Sequence, residues 1–263
     1  MLSAGVAAKR WWFRDSSHAV TVDAALEKFR SATTLPSPTS DVLASTSPTV
    51  VSPSSTEQSS EPLTLPAVGV YRYATTGFEA IDAFGGARHD YPAETTLTVT
   101  VAGCGVDLRW DPLKERSEQW QLCITDRGIE WQATGSNYHQ FFGQDENEQM
   151  TCDHSAVLVP TVAPPEIQQL DCHMAGHWLP QWWVLERTTR VVEGVDVPVQ
   201  HVRLQVTDTD KYFELITVEW YLDDHGLPVH VDWSKESLAE TKFGDVKFSE
   251  HFTLALQSLT PLT

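Results

Sequence analysis

From residue 68 onward apolar and polar positions alternate with a period of two, the repeat of a strand with one face buried. Leu97, Val99 and Val101 alternate with Thr96, Thr98 and Thr100. Val106, Leu108 and Trp110 continue that pattern beyond Gly103-Cys104-Gly105, where a bulge is expected. Trp120, Leu122 and Ile124 run into the turn Asp126-Arg127-Gly128, and Ile129, Trp131 and Ala133 run out of it, which predicts a hairpin. Further strands are expected over 199–206, 212–222, 229–233 and 246–256, with the turn Asp223-Asp224-His225-Gly226 between two of them. No long helical pattern follows residue 31. Many strands joined by short turns predict a mainly β fold, an antiparallel sheet forming a half-open barrel or a sandwich. Strands and helices do not alternate, which excludes a dinucleotide-binding crevice.

Before residue 67 the pattern changes twice. Thr21 is an N-cap candidate, and Val22, Ala25, Leu26 and Phe29 make one apolar stripe, predicting a short amphipathic helix over 22–30. So short a helix is marginal alone and must dock on something or be mostly disordered. From 31 to 66 the chain is mostly Ser, Thr and Pro, with Asp41, Glu57 and Glu61 and no basic residue. Such a segment cannot offset its ordering entropy and predicts a disordered linker. The division expected is thus 1–30, a juxtamembrane tail and helix; 31–66, the linker; and 67–263, the β domain. Lys9-Arg10-Trp11-Trp12-Phe13-Arg14 suits a membrane–water interface, and a membrane tether upstream of residue 1 is expected.

Charge narrows the partners. The 263 residues carry a net charge of −18, and five of the 18 basic residues lie in the first 30. The remainder is strongly acidic and repels phosphate backbones, so nucleic acid is not an expected partner. Four cysteines, Cys104, Cys123, Cys152 and Cys172, contain no C-x-x-C. Reversals near Leu113-Lys114 and near Val162 would set Cys104 opposite Cys123 and Cys152 opposite Cys172. Those two disulfides, and an extracytoplasmic location, are expected.

The candidate chemistry is sparse. Gly85-Gly86-Ala87-Arg88-His89-Asp90-Tyr91-Pro92 reads as a Gly-hinged loop in which Arg88 and His89 could clamp an anion or move a proton. In Tyr138-His139-Gln140-Phe141-Phe142-Gly143 and Trp178-Leu179-Pro180-Gln181-Trp182-Trp183, neighbouring aromatics on a strand point to opposite faces. One of each pair is therefore free to line a groove for a sugar or an acyl chain, unless a bulge or Pro180 turns both inward. The candidate ligand-binding residues are Arg88, His89, His139, Phe141, Phe142, Trp178, Trp182 and Trp183. Cys152, His154, Cys172, His173 and His177 lack zinc-site spacing, so no metal or cofactor is expected. Catalytic motifs are absent, and no carboxylate pair is recognisably placed for glycoside hydrolysis.

The segments 22–30, 70–92 with Gly85-Gly86-Ala87-Arg88-His89, Cys104-Gly105-Val106 through Cys123, and His139-Gln140-Phe141-Phe142-Gly143 before Cys152 resemble actinobacterial cell-envelope proteins. That group combines an N-terminal membrane segment, a stalk and a Cys-containing β domain. Trp220-Tyr221-Leu222-Asp223-Asp224-His225-Gly226-Leu227-Pro228-Val229 looks like a hairpin of lipoprotein-carrier half-barrels, which implies acyl-chain binding on a concave sheet. The expectation is a non-catalytic, extracytoplasmic binding domain tethered to the envelope or secreted, for an apolar or glycan ligand. The alternatives are a structural or protein-interaction module, whose partner would be an envelope protein, and a hydrolase using His89, His139 and nearby carboxylates.

Overall fold

The computed structural model describes residues 17–33, 62–82, 86–141, 144–173, 177–208, 213–241 and 244–263. Among these residues one helix, α1 (Val22–Thr33), precedes sixteen strands. They are β1 (Gly69–Ile81), β2 (Ala87–Asp90), β3 (Glu94–Ala102), β4 (Gly105–Leu113), β5 (Arg116–Thr125), β6 (Gly128–Phe141), β7 (Gln144–Cys152) and β8 (Ala156–Pro160), then β9 (Gln168–Gln169), β10 (Cys172–His173), β11 (His177–Trp178), β12 (Gln181–Val192), β13 (Val195–Asp208), β14 (Phe213–Leu222), β15 (Pro228–Thr241) and β16 (Gly244–Leu256). All belong to one antiparallel sheet, in the order β11-β10-β7-β6-β5-β4-β3-β1-β16-β15-β14-β13-β12-β9, with β2 on β1 and β8 on β6. The path does not close on itself, so the fold is the mainly β, half-open type expected.

The spine is the pairing of β1 with β16, which sets Tyr73 opposite Leu256 and Glu79 opposite Glu250. Two wings leave it, and their inner faces carry the core. Trp120 on β5 stacks with Trp220 on β14 at 5.7 Å, and Trp131 on β6 meets Trp182 on β12 at 5.4 Å. Nearer the spine, Trp110, Phe252 and Trp233 follow one another at 4.4 and 5.4 Å. The wings therefore curl until rings from opposite halves touch, burying apolar surface at roughly 25 cal/mol per Å².

Two local expectations are corrected. Gly103-Cys104 is a two-residue hairpin turn, not a bulge, because Ala102 pairs with Gly105 and Gly103 has φ +46°. Ala87–Asp90 is a strand, not a loop: β1 pairs with β3 over 69–74 and then with β2 over 78–81. The change of partner falls at Gly77, with φ +148°, where a Cβ would run into the His251 carbonyl.

Helix α1 runs three residues beyond 30 and docks. Ala25 and Phe29 are buried with Val70, and Leu26, Val68 and Leu262 pack around them. Ahead of it His18 is clamped to the β4–β5 turn: its backbone N–H and its Nδ1 reach the Glu115 carboxylate at 2.9 and 2.5 Å, and its carbonyl accepts from Lys114 at 2.8 Å. Most of the expected linker lies outside the described residues, but Leu63 and Leu65 already pack against the core.

Both expected disulfides are present, Cys104–Cys123 and Cys152–Cys172, and they suit an oxidising, extracytoplasmic or secreted setting. The second ties β10 to β7. Replacing Cys152 and Cys172 together by serine is expected to cost about 3 kcal/mol by loop closure. A urea midpoint unchanged by that double substitution would show that β10 holds to β7 without the bond. No helix among the described residues is long and apolar enough to cross a membrane.

Candidate functional site

Strand alternation carries each phase of the apolar interior into a polar zone at one end. On β1 the inward sequence Tyr71, Tyr73 and Thr75, all buried, leads to Glu79 at 0% exposure; on β16 Leu256, Leu254 and Phe252 lead to Glu250 at 1%. Register then extends the row to His89, opposite Glu79 on β2, and to Lys235, opposite Glu250 on β15. On the other wing Arg116 pairs with His139, Glu118 with Asn137, and these in turn with Glu146 and Glu148 on β7. The inner face is thus divided into an aromatic floor and a belt of ionisable groups.

Glu79 is the centre of the belt. An ionised carboxylate only accepts, so both histidines donate to it: His89 Nδ1 to Oε1 and His139 Nε2 to Oε2, each at 2.8 Å. The Tyr91 hydroxyl lies 3.3 Å from Oε2 and donates to Glu250 Oε1. Arg116, 4% exposed, reaches Glu250 at 3.4 Å and Glu118 at 2.6 Å and donates to Asn137 Oδ1. Burial by itself would raise the Glu79 pKa; the hydrogen bonds from His139 and His89 and the nearby Arg116 charge outweigh it and hold the group at about 2. Burial and the Glu250 charge push the Tyr91 hydroxyl well above its ordinary range.

The rim is different. Burial, with Glu146, Glu214 and Glu118 close by, raises the Glu148 pKa against the pull of Lys235. Lys235 itself sits 2.7 Å from Glu214 on β14, so Glu148 and Glu146 have no ion pair of their own among the described residues. The groups that perturb Glu148 come from both wings, and the rim is therefore where β7 faces β14 and β15 across the interior.

Of the sequence candidates, His89, His139 and Phe141 meet here. Phe141 lies 4.8 Å from the His89 ring edge-on and stacks on His139 at 5.7 Å, with Phe248 beside it. Arg88 does not join them: it pairs with Asp90 at 2.7 Å and covers Phe78 at 3.6 Å, on the face opposite His89. Phe142 lies outside the described residues. Trp182 is buried in the aromatic floor, Trp183 takes the opposite phase and is half-buried, and Trp178 packs on the core from β11. Pro180 precedes β12 and turns neither tryptophan, so these aromatics do not form one groove. The cysteines are consumed by disulfides and supply no thiolate for a metal.

Sequence reasoning missed Glu79, Arg116, Glu250, Lys235 and Glu214. A concavity of about 480 Å³ lies at the other end, between Leu65, Tyr71, Val197, Pro198 and Leu227. Its buried carboxylate, Asp223, accepts from the backbone N–H groups of His225 and Leu227 at 2.9 Å and so serves the β14–β15 turn.

No protein-family model, curated protein or solved structure matches this chain.

Proposed function

We propose that the chain is an extracytoplasmic, envelope-associated binding domain whose ligand is hydroxyl-rich, of the glycan class, and engages the polar belt. The observation that carries this reading is the division of the inner face. Its apolar half is filled by ring-on-ring contacts from Trp120–Trp220 to Trp110–Phe252, so an acyl chain would have to displace them. The other half joins carboxylates, Asn137, Arg116, Lys235 and His139 to the rings of Phe141 and Phe248. Carboxylate and amide groups exchange hydrogen bonds with sugar hydroxyls, and aromatic faces cover the apolar side of a pyranose ring. The two disulfides support the extracytoplasmic part of this reading, since they suit an oxidising setting.

The test is titration of envelope oligosaccharides into the disulfide-intact chain by calorimetry. Saturable binding is expected, weakened at least about 10-fold by Glu148→Gln, since losing a hydrogen bond to a charged group costs about 1.5–3 kcal/mol. Binding of fatty acids with no response to oligosaccharides would overturn the glycan reading.

A second reading has its own observation. A carboxylate holding an imidazole is the arrangement of a general base, and Glu79 holds two. It belongs to hydrolysis if incubation with the same oligosaccharides releases new reducing ends that His139→Gln abolishes.

A further inference from the structure

We propose that the cavity at the β14–β15 turn is a binding site in its own right, which takes an organic ammonium ion and holds it on the Oδ2 atom of Asp223. The cavity lies at the other end of the sheet from the polar belt, so the inference stands whichever ligand the belt takes.

The walls are held by separate contacts. Leu63 and Leu65 pack on the core, and Thr64 Oγ1 lies 2.7 Å from His225 Nδ1, so the segment before β1 is tied to the turn. The Tyr71 hydroxyl donates to the Ala67 carbonyl at 2.9 Å and fixes the far end of that segment on β1. Val197 on β13 and Leu227 after the turn, both buried, supply apolar wall. Leu259, 39% exposed, extends that wall to the surface. The volume of about 480 Å³ falls within the roughly 300–1,000 Å³ of small-molecule sites.

Asp223 gives the cavity its chemistry. It lines the space and is 7% exposed. Its Oδ1 serves the turn, accepting from the His225 and Leu227 N–H groups at 2.9 Å. Among the described residues Oδ2 has no donor, and no Lys or Arg pairs with the carboxylate; Arg187 pairs with Asp224 instead. Burial raises the Asp223 pKa against the pull of the two turn N–H groups and the His225 imidazole, and Asp224 adds to the rise. Burial, and after it the Asp223 charge, pushes the Tyr71 hydroxyl up to about 12, and its proton is already engaged by Ala67. A buried carboxylate oxygen is ordinarily paired, and one that faces a cavity takes its hydrogen bond from whatever enters.

That combination selects among ligands. An anion is repelled by Asp223 and Asp224. A purely apolar molecule would leave Oδ2 desolvated and without a donor, which costs free energy. Calcium takes roughly six to eight oxygen ligands, and the side chains of Leu65, Val197 and Leu227 supply none. An organic ammonium satisfies both halves of the cavity. Its N–H donates a charge-assisted bond to Oδ2, and its hydrocarbon body covers the apolar wall.

Titration of n-hexylammonium into the full, disulfide-intact chain, followed by amide shifts in a nitrogen-15-labelled sample at about 0.15 M salt, tests this. Saturable shifts are expected at the His225 and Leu227 amides, whose acceptor is Asp223. The neutral 1-hexanol brings the same chain without the charge and should bind at least about 10-fold more weakly. Asp223→Asn keeps Oδ1 as acceptor for the turn and puts a donor where Oδ2 stood, so it should weaken the ammonium by at least about 10-fold. Should that variant fail to fold, the comparison of ammonium with alcohol on the parent chain decides alone. Equal affinity for the alcohol overturns the proposal, as does undiminished binding to a folded Asp223→Asn. So does calcium moving the same amides at lower concentration than the ammonium. Shifts confined to β6 and β7 would put the ammonium on the belt, and shifts that never saturate would mean general attraction to an acidic chain; either result removes the site.

Discussion

Glu79→Ala is expected to destabilise the protein by about 3–5 kcal/mol, the cost of removing one partner from a buried charged network. His89 and His139 would each face an interior with no acceptor where Glu79 stood, while Tyr91 would keep its bond to Glu250. Glu79→Gln keeps the volume and one acceptor and is expected to cost less. The pH dependence separates the electrostatic part from the packing part. The ordinary value of the group is 4.5 and in the fold it is held at about 2, so its contribution, roughly 3 kcal/mol, is fully present above about pH 5 and is lost as pH falls towards 2. Urea midpoints measured from pH 6 to pH 2.5 should decline through that window in the parent chain and decline less in Glu79→Gln. Parallel curves for the two proteins would show that the carboxylate charge is not what the network holds.

Trp182→Ala should be of similar size, about 3–5 kcal/mol, for a different reason. Trp182 is 2% exposed and touches Trp131 on one wing and Trp220 on the other, at 5.4 Å in each case. Removing it leaves a cavity where the wings meet, and among the described residues no strand ladder crosses that line, only the Gln168 side chain bonded to the Val157 backbone. The expected result is a lower urea midpoint with increased binding of a hydrophobic dye, since the aromatic floor opens to solvent. A loss below about 1 kcal/mol would mean that the wings close on Trp120–Trp220 alone.

Much of the fold was legible because alternation is strict where one face is buried. The β5–β6 hairpin could be read from Trp120, Leu122, Ile124, Ile129 and Trp131, and both cysteine pairs followed from chain reversals. β2 was not legible: a run beginning Gly85-Gly86 looks like a turn, and its strand character comes from an edge that β1 leaves free only after β3 ends. His89, His139 and Phe141 stood out by residue type, but Glu79 and Glu250 did not, since a glutamate in a strand ordinarily marks the solvent face. A signal was there in the phase. Counting by two from Tyr71 and Tyr73 lands on Glu79, and from Leu256 and Leu254 on Glu250, which puts both carboxylates inside. What no single-strand pattern could supply is which strands face one another. The meeting of Glu148 with Glu214 and Lys235 depends on how far the wings curl.

The β1–β16 spine also sets the order in which such a chain can assemble. Among the described residues most strand pairings join neighbours in sequence, whereas Tyr73 must find Leu256. Each wing is a low-contact-order meander, the kind of structure that forms early; closing the spine is the one large loop closure. Glu79 and Glu250 are brought side by side only in that step, and the Tyr91 hydrogen bond to Glu250 with them. A chain interrupted before residue 244 would hold two half-sheets, with Glu79 on one, Lys235 on the other and no Glu250 between them, so the joined polar network reports on completion of the fold and not on its beginning.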